Sequence, residues 1–245
     1  MRHFYILGTM YMLLSHFLWA KVPEIAGVKI VQWNGQNSLL LHIAGKNVWV
    51  DPYNVPSQTE VKADIVFITH DHSDHLDKRS MDIVSDPDKT TVYTPDSVID
   101  SVRAIFQGKI VPLNVGALVG ISDVSVQAVP AYNAGKKQDK HPKARSWIGL
   151  LFSKGKESLY ITGDLDRIPD LKKIKADIIL LPLGQTYTFD SVEDAVQAVK
   201  DVGAKIAVPV HFGMYEGTQE DVKTFEGLMK NMGVTVQVLP RKGEH

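Results

Sequence analysis

Short apolar segments separated by turn residues mark the chain from residue 28 onward. Residues 28–32, 38–43 and 48–51 are rich in Val, Leu, Ile and Trp, and residues such as Gly35 and Pro52 punctuate them. Short β-rich runs bounded by Gly, Asn and Pro are typical of strands that are joined by tight turns. The pattern therefore predicts a set of antiparallel strands at the start of the fold.

Longer apolar runs and helical segments occupy the rest of the chain. Strands buried on both faces are expected at three continuous apolar runs, 63–69, 176–181 and 204–210. Further strands are expected at 115–120, 124–129, 147–152, 158–162 and 234–239. Helices are expected at 78–84, 96–106, after Asp190 as a capping residue, and at 221–232. This order predicts two sheets packed face to face with helices outside.

The first twenty residues differ from the rest of the chain. Arg2 is the one charged residue there, residues 6–20 are largely apolar, and Ala20 is small. This arrangement is typical of a signal peptide, although Leu18 is large for its place before a cleavage site. We predict a signal peptide, with an uncleaved membrane anchor and a buried first helix as alternatives. Residues 21–245 then form one domain of an exported protein, either periplasmic or secreted.

The composition excludes several classes of protein. The 245 residues include 27 Lys and Arg against 28 Asp and Glu, which gives a net charge of −1. Without an excess of positive charge, a general nucleic-acid binder is not expected. The chain has no cysteine, which excludes disulfides, thiolate metal sites and cysteine nucleophiles. Any metal must therefore be bound by His, Asp, Glu or Asn.

Three histidines and two aspartates lie within the six residues HDHSDH, directly after the buried run 63–69. Alternate residues of an extended segment point the same way, so His70 and His72 can address one ion. Asp74 and His75 follow where the chain turns, so they can address a second point. Imidazole and carboxylate together suit zinc, iron or manganese. The cluster therefore predicts a site for two neighbouring metal ions.

Two further residues at strand ends are weak signals by themselves. Asp164 follows Gly163 at the end of the expected strand 158–162, and a Gly-Asp pair there is often only a turn. His211 follows the buried run 204–210, where a single histidine is more often structural than a ligand. Both gain weight only if the fold brings them to the first cluster.

The segment THDHSDHLD resembles the metal-binding signature of the metallo-β-lactamase fold, His-x-His-x-Asp-His after a strand. Asp164 and His211 match that family's bridging aspartate and final histidine. The resemblance covers about residues 28–239 and implies a four-layer αββα sandwich, with two packed mixed sheets and helices outside. The chain is similar to a branch of metal-dependent hydrolases related to the ascorbate-6-phosphate lactonases, which share the pair Asp51-Pro52 and the segment 181–187.

The resemblance implies a role for each matching residue. His70 and His72 would bind the first metal, Asp164 would bridge, and the second metal would be bound by Asp74, His75 and His211. A metal-bound hydroxide would attack an ester, lactone or phosphoester of a small molecule. The implied cofactor is zinc, as one or two ions, with manganese or iron as alternatives.

One ligand of the family's pattern is missing. The family places another histidine at a strand end before the bridging aspartate, whereas this chain has Ala131-Tyr132-Asn133 there. Three alternatives are open at this point. Asn133 supplies an oxygen ligand, or His141 folds back from the following loop, or the first metal site stays open.

Other residues are expected near the site. Asp74 and Tyr132 are predicted to take part in catalysis, and Thr186 and Tyr187 could orient a substrate. Asp51 could accept the second N–H of a ligand histidine, as metal-bound histidines usually require. The polar loop 133–146 carries five basic residues that could attract an anionic substrate or could simply be solvated, namely Lys136, Lys137, Lys140, Lys143 and Arg145.

These observations predict a metal-dependent hydrolase with a small-molecule substrate. The alternatives are an iron-containing oxidoreductase on the same fold, an exported β-lactamase, and a metal-binding protein without catalytic activity. We expect no nucleic-acid partner, and no membrane association unless the N-terminal segment is an uncleaved anchor. The sequence leaves the oligomeric state open.

Overall fold

A computed structural model of the protein describes residues 22–242, and the predicted signal peptide at 1–20 lies outside the described residues. The apolar runs of the first half form a sheet with the order β1-β2-β3-β4-β5-β6. Its strands are β1 (Val28–Trp33), β2 (Leu39–Ile43), β3 (Lys46–Val50), β4 (Ile65–Phe67), β5 (Thr91–Thr94) and β6 (Lys109–Pro112). Strands β1 to β3 pair antiparallel, as expected for tight turns, and β3 to β6 pair parallel.

The second half forms another mixed sheet, with the order β13-β12-β11-β10-β9-β8-β7. Its strands are β7 (Leu118–Ile121), β8 (Val124–Pro130), β9 (Ile148–Lys154), β10 (Glu157–Ile161), β11 (Ile178–Pro182), β12 (Ile206–Val210) and β13 (Thr235–Val236). Strands β7 to β10 pair antiparallel and β10 to β13 parallel. In each sheet, then, hairpins come first and strands with longer connections follow.

Helices cover the outer face of both sheets. They are α1 (Lys78–Val84), α2 (Ile99–Arg103), α3 (Val192–Val202) and α4 (Gln219–Asn231). Met81 and Val84 of α1 pack with Trp49 and Val66 in a cluster on the outside of the first sheet. Helices α3 and α4 pack on β11 and β13 of the second sheet, and the larger apolar cluster joins both sheets. The predicted αββα sandwich is confirmed.

The helix ends follow from capping residues. Asp77 begins α1 by accepting hydrogen bonds from the backbone N–H groups of Arg79 and Ser80. Ser191, one residue after the predicted Asp190, caps α3. Thr218 and Asp221 form a reciprocal capping box at the start of α4.

The structure differs from the sequence-based elements in several places. Strands β5 and β6 were not expected, and the segment predicted as helix 96–106 is a 3₁₀ turn followed by the short helix α2. The predicted strands 63–69 and 234–239 are shortened to Ile65–Phe67 and Thr235–Val236. Among residues 22–242, none of the helices has the length and apolar character that crossing a membrane requires.

Candidate metal centre

The expected ligands lie at strand ends that meet at one edge of the two sheets. The HDHSDH segment follows β4, Asp164 follows β10, and His211 follows β12. His141 reaches the same place from the loop between β8 and β9. The structure brings seven side chains together, His70, His72, Asp74, His75, His141, Asp164 and His211.

One set of ligand atoms belongs to His70, His72 and His141, which lie within 4.8 Å of one another. Trp147 packs against this set, with its ring centroid 4.8 Å from that of His70 and 4.9 Å from that of His72. The Nδ1 atom of His141 lies 3.2 Å from the backbone carbonyl of Tyr187. That contact orients the ring so that Nε2 faces the other two histidines.

A second set consists of Asp74, His75 and His211, whose ligand atoms also lie within 4.8 Å of one another. The Nε2 atoms of His75 and His211 are 3.4 Å apart. The Oδ2 atom of Asp74 lies 3.5 Å from Nε2 of His211. Each set therefore offers three donor atoms around one point.

Asp164 lies between the two sets. Its Oδ2 atom is 3.1 Å from Nε2 of His211, 3.3 Å from Nε2 of His75 and 3.5 Å from Nε2 of His141. Its Oδ1 atom accepts a hydrogen bond of 2.8 Å from the side-chain amide of Asn37. A single carboxylate thus faces both sets of ligands from a fixed position.

The residues present fit a pair of metal ions. The Nε2 atoms of His70 and His141 are buried and make no hydrogen bond within residues 22–242, although buried polar atoms are almost always paired. The first set consists of three imidazoles and the second of two imidazoles and a carboxylate, and donors of these kinds suit zinc, iron or manganese. The cluster therefore has the unpaired donor atoms and the chemistry that such ions require.

Electrostatics favours positive charge at the centre of the cluster. Burial by itself would lower the pKa of His75, but the carboxylates of Asp164 and Asp51 outweigh it and raise this pKa to about 10. The pKa of His211 is raised well above its usual value by the same carboxylate of Asp164 against the effect of burial. His70 has fewer such contacts, and burial holds its pKa well below the usual value.

The two carboxylates of the cluster stay ionised. Burial would raise the pKa of Asp164, but the neighbouring His211 and His75 bring it well below its usual value. The pKa of Asp74 is lowered by His211 and His75 in the same way, again against burial. Ionised carboxylates are the form that binds a cation.

Asp51 holds His75 in place, as expected from the sequence. Its Oδ2 atom lies 2.9 Å from Nδ1 of His75. Its carboxylate also accepts hydrogen bonds from the backbone N–H and the hydroxyl of Thr69, at 2.7 and 2.6 Å. The buried carboxylate therefore fixes both the start of the HDHSDH segment and the orientation of one of its rings.

Glu216 was not predicted, and it holds His211. Its Oε1 atom lies 3.0 Å from Nδ1 of His211, and Oε2 accepts the backbone N–H groups of Thr186 and Tyr187 at 2.9 and 2.7 Å. A Cβ atom at Gly184 would come within 1.9 Å of Cδ of Glu216, so only glycine fits there. A Glu in a glycine-rich loop shortly after a candidate ligand is the one signal that could have identified it.

Gln36 was also missed. It lies in the turn between β1 and β2, and its amide nitrogen donates to Oδ2 of Asp74 at 2.7 Å and lies 2.9 Å from Nε2 of His211. No pattern in the sequence distinguishes this glutamine from other turn residues. Its contribution depends on contacts with residues that are far away in the chain.

Three residues of the site have a left-handed backbone. The φ angles of Gln36, Asp51 and His211 are 47°, 43° and 52°. Such conformations cost a non-glycine residue about 1–3 kcal/mol, and they concentrate at functional sites. Two backbone hydrogen bonds hold these three residues: the N–H of His211 donates to the carbonyl of Gln36, and the N–H of Asp51 donates to the carbonyl of Phe67.

Asn133 supports the loop that carries His141. Its backbone N–H donates to the carbonyl of His141 at 2.7 Å. Its side-chain amide donates to the carbonyls of Lys137 and Tyr187, at 3.1 and 2.8 Å. Of the sequence-based alternatives, the geometry favours the one in which His141 folds back to the cluster.

Tyr132 is not brought to the metal centre. Its hydroxyl donates to Oδ2 of Asp170 at 2.8 Å, and Nζ of Lys143 lies 4.7 Å from its ring centroid. Burial together with the charge of Asp170 raises the pKa of Tyr132 to about 12. Thr186 touches the site through its backbone N–H to Glu216, and Tyr187 reaches the cavity.

A cavity of about 410 Å³ opens over the cluster. Its floor includes His72, Asp74, Asp164 and His211. Its rim is formed by Ser73, Asp139, Lys140, Tyr187 and Tyr215. A small molecule that enters the cavity therefore meets both sets of ligands.

The family described as the beta-lactamase superfamily domain matches residues 30–211, which include every ligand named above. The chain belongs to the beta-lactamase superfamily. The predicted metallo-β-lactamase family is thus confirmed. The finer resemblance to the branch of the ascorbate-6-phosphate lactonases stays a prediction, since the match is to the superfamily as a whole.

Proteins of similar sequence cover nearly the same length. A UPF0173 metal-dependent hydrolase of Archaeoglobus fulgidus is 27% identical over 222 residues, which is 85% of this chain and 94% of that protein. A UPF0173 protein of Pyrococcus abyssi is 30% identical over 195 residues, which is 78% of this chain and 86% of that protein.

Solved structures of similar fold include a candidate metal-dependent hydrolase from Parabacteroides distasonis, with a TM-score of 0.73 and 30% identity. It is matched over 86% of this chain and 92% of its own. CmlA, a diiron β-hydroxylase from Streptomyces venezuelae, has a TM-score of 0.68 and 15% identity over 86% of this chain and 52% of its own. The likeness to CmlA shows the fold alone.

Proposed function

We propose that this protein of the beta-lactamase superfamily is a metal-dependent hydrolase that cleaves an ester, lactone or phosphoester bond of a small molecule. One observation carries the proposal. The Oδ2 atom of Asp164 lies 4.0 Å or less from the Nε2 atoms of four histidines, His70, His75, His141 and His211. The name of the A. fulgidus protein, a metal-dependent hydrolase, supports the same class of reaction.

Each set of residues would hold one divalent ion. His70, His72 and His141 would hold the first, and Asp74, His75 and His211 the second, with Asp164 in contact with both. Bound there, the ions would lower the pKa of a coordinated water and polarise the bond under attack. Zinc is our first choice of metal because the donor set is nitrogen-rich, and manganese and iron suit the same donors.

The protein's own part is to orient these donors. Asp51 accepts the Nδ1–H of His75, and the carboxylate of Glu216 lies 3.0 Å from Nδ1 of His211. With Nδ1 held in this way, each ring would present a neutral Nε2 to an ion. Trp147 packs on His70 and His72 and excludes water from that side of the first set. These contacts preorganise the site before a substrate enters.

Asp74 is the ligand residue that we place in contact with substrate or water. It lines the cavity, and 19% of its side chain is exposed, against 3% for Asp164. Its lowered pKa keeps it ionised, so it accepts hydrogen bonds and does not act as a general acid near neutral pH. Tyr132 donates to Asp170 and does not line the cavity, so we propose no catalytic role for it.

The test combines metal analysis with a substrate screen. We expect the full-length protein to bind zinc, manganese or iron and to hydrolyse at least one ester, lactone, phosphodiester or β-lactam when the metal is supplied. His72→Ala should abolish turnover and reduce bound metal, whereas His42→Ala, an exposed change on β2, should leave both unchanged. A His72→Ala protein with normal metal content and turnover would overturn the proposal.

The second candidate function is an iron-containing oxidoreductase, because the imidazole and carboxylate donors of the site suit iron as well as zinc. The same preparation separates the two functions. Iron bound on purification, with oxygen consumption and no hydrolysis of any compound in the screen, would favour the oxidoreductase. Hydrolysis that zinc or manganese supports favours the hydrolase.

A further inference from the structure

Three of the five basic residues of the loop 133–146, namely Lys137, Lys143 and Arg145, make structural contacts within the protein. Lys137 donates to the carbonyls of Thr188 and Phe189 at 3.1 and 2.6 Å and lies 3.3 Å from Oδ1 of Asp190. This half-buried lysine therefore holds the neighbouring loop in place. It is not free to bind a substrate anion.

Two further cations of this loop are also occupied. The guanidinium of Arg145 donates to both carboxylate oxygens of Asp71, at 2.7 and 2.6 Å, and its Cζ lies 5.3 Å from the ring centroid of Trp147. Lys143 lies over the ring of Tyr132, away from the cavity. Arg145 therefore supports the HDHSDH segment and Trp147 beside the metal centre, and neither Arg145 nor Lys143 lines its opening.

Among the five basic residues of the loop, Lys140 is the one that lines the cavity. Its Nζ lies 3.1 Å from Oδ2 of Asp139, which is also at the rim. The opposite charges offset each other, and both are exposed to solvent, where such pairs are weak. The rim thus presents no net positive charge to an approaching molecule.

The floor of the cavity adds negative charge. Asp74 and Asp164 line it, and Asp51 and Glu216 stand behind the histidines. Together these four carboxylates would balance the charge of two divalent ions. An anionic group on a substrate would gain no net attraction from the site as a whole.

The remaining walls are aromatic. Tyr187 and Tyr215 line the cavity and are 40% and 55% exposed. The hydroxyl of Tyr215 is hydrogen-bonded to that of Tyr53 from the loop after β3. Their rings offer apolar surface and their hydroxyls offer hydrogen bonds, which together suit a compound with an uncharged polar group on an apolar body.

We propose that the substrate is uncharged, a neutral ester or lactone whose apolar body lies between Tyr187 and Tyr215. This inference rests on the proposed hydrolase function and narrows it, because it removes phosphoesters and other anions from the expected substrates. The predicted role of the basic loop in attracting an anion is replaced by a structural one.

Two esters with the same scissile bond test the charge preference. Phenyl acetate is neutral, and 4-acetoxybenzoate carries a carboxylate at the far end of the ring. With metal-loaded full-length protein, we expect kcat/KM, corrected for the rate of hydrolysis by hydroxide, to be about tenfold higher for phenyl acetate. A higher corrected value for 4-acetoxybenzoate would overturn the inference.

Variants of rim residues show which side chains determine the preference for the neutral ester. Lys140→Ala and Lys136→Ala, the latter an exposed lysine of the same loop that does not line the cavity, should both leave the KM for either ester within about twofold. Tyr215→Ala should raise the KM for phenyl acetate about fivefold or more because it removes an apolar wall. A tenfold rise in the KM for 4-acetoxybenzoate in Lys140→Ala alone would show that Lys140 recruits anions and would refute the inference.

Binding of stable analogues distinguishes a failure of this inference from a failure of the proposed function. N-Phenylacetamide and 4-acetamidobenzoate keep the shapes of the two esters and can be titrated into metal-loaded protein by NMR. Tighter binding of the neutral amide supports an uncharged ligand even if neither ester is hydrolysed, in which case only the hydrolase proposal fails. Tighter binding of the anionic amide contradicts the charge preference whatever the esters show.

Discussion

The Nε2 atom of His141 lies 3.5 Å from Oδ2 of Asp164, although His141 is in a polar loop and Asp164 follows a buried strand. The backbone N–H of Asn133 donates to the carbonyl of His141 and closes the loop between them. The loop thereby carries a histidine to the place where a strand-end histidine is expected in this family. His141 thus has the role of a ligand and Asn133 that of a support for the loop, and the first prediction tests these two roles.

Removing His141 should cost one metal ion. We expect His141→Ala to lower the metal-to-protein ratio from about two to about one, because the first ion would keep only His70, His72 and the shared carboxylate of Asp164 and would lose a nitrogen donor. Asn133→Ala should keep the ratio and lower the free energy of unfolding by about 1–3 kcal/mol, since two partly buried carbonyls lose their donor. Elemental analysis and thermal unfolding measure the two effects, and the reverse ranking would assign the ligand to Asn133.

The Asp51→Asn variant tests whether the carboxylate of Asp51 holds the ring of His75 in place. Replacing the carboxylate weakens the hydrogen bond to Nδ1 of His75 and the fixed orientation of its ring. We expect the affinity for metal to fall about 10–100-fold while the domain stays folded. Competition with a chelator gives the affinity, and Asp123→Asn, which changes a surface ion pair with Lys154, is the control. Equal affinities in the two variants would count against a supporting role for Asp51.

Gly184→Ala should act on His211 without changing any ligand. A methyl group there would meet Cδ of Glu216, so Glu216 must move away from Nδ1 of His211. We expect metal affinity to drop about tenfold or more. Gly227→Ala is the matched control, because nothing lies within 4 Å of its added methyl group in α4. Unchanged metal binding in Gly184→Ala would show that Glu216 is dispensable.

Metal binding should release protons, and the second set of ligands should release more of them than the first. Without metal, the pKa of His75 is about 10 and that of His211 is well above its usual value, so both rings are protonated at pH 7.5. His70 and His72 have lowered pKa values and are already neutral. Because ligand histidines must be neutral, binding at the second set should release about two protons, and affinity should rise with pH up to about 10.

Calorimetry in two buffers of different ionisation enthalpy measures this release. His72→Ala, which impairs the first set, should leave the number of released protons nearly unchanged. His211→Ala should reduce it by about one. A release that is independent of His211 would contradict the assignment of the raised pKa.

Export is tested by the mass of the mature protein. When the full chain is produced in a bacterium with a periplasm, we expect cleavage after Ala20, so that the purified protein begins at Lys21. Leu14→Arg interrupts the apolar stretch and should leave an uncleaved protein in the cytoplasm. An intact N-terminus in the membrane fraction of the unaltered protein would favour the anchor instead.

Much of the fold is predictable from local patterns, and the exceptions have a physical cause. The helix α1 and the hairpins follow from capping residues and apolar runs that are close in the chain. Strands β5 and β6 have only four residues each; β5 alternates half-buried and buried positions, and β6 has no buried position. They become strands because β4 offers a parallel edge that orders β5, and β5 in turn orders β6, which no local pattern records.

The residues of the candidate site also fall into those that the sequence predicts and those that it does not. The HDHSDH segment is evident because its ligands are adjacent in sequence, and Asp51 because it directly follows a strand. Gln36 and Glu216 were missed because their importance comes from contacts across the fold, such as the one between Gln36 and His211, which are 175 residues apart. The sequence at Ala131-Tyr132-Asn133 does not distinguish between the alternatives for the missing histidine, because the path of a polar loop depends on what it packs against.

The loop that supplies His141 also supplies the rim residues Asp139 and Lys140. In most positions of a surface loop, insertions and deletions are tolerated because no core residue depends on them. Here a change of even one residue in length would shift a metal ligand together with the entrance for the substrate. Relatives that diverge in this loop should therefore differ jointly in metal stoichiometry and in substrate preference, so that evolution of one property constrains the other.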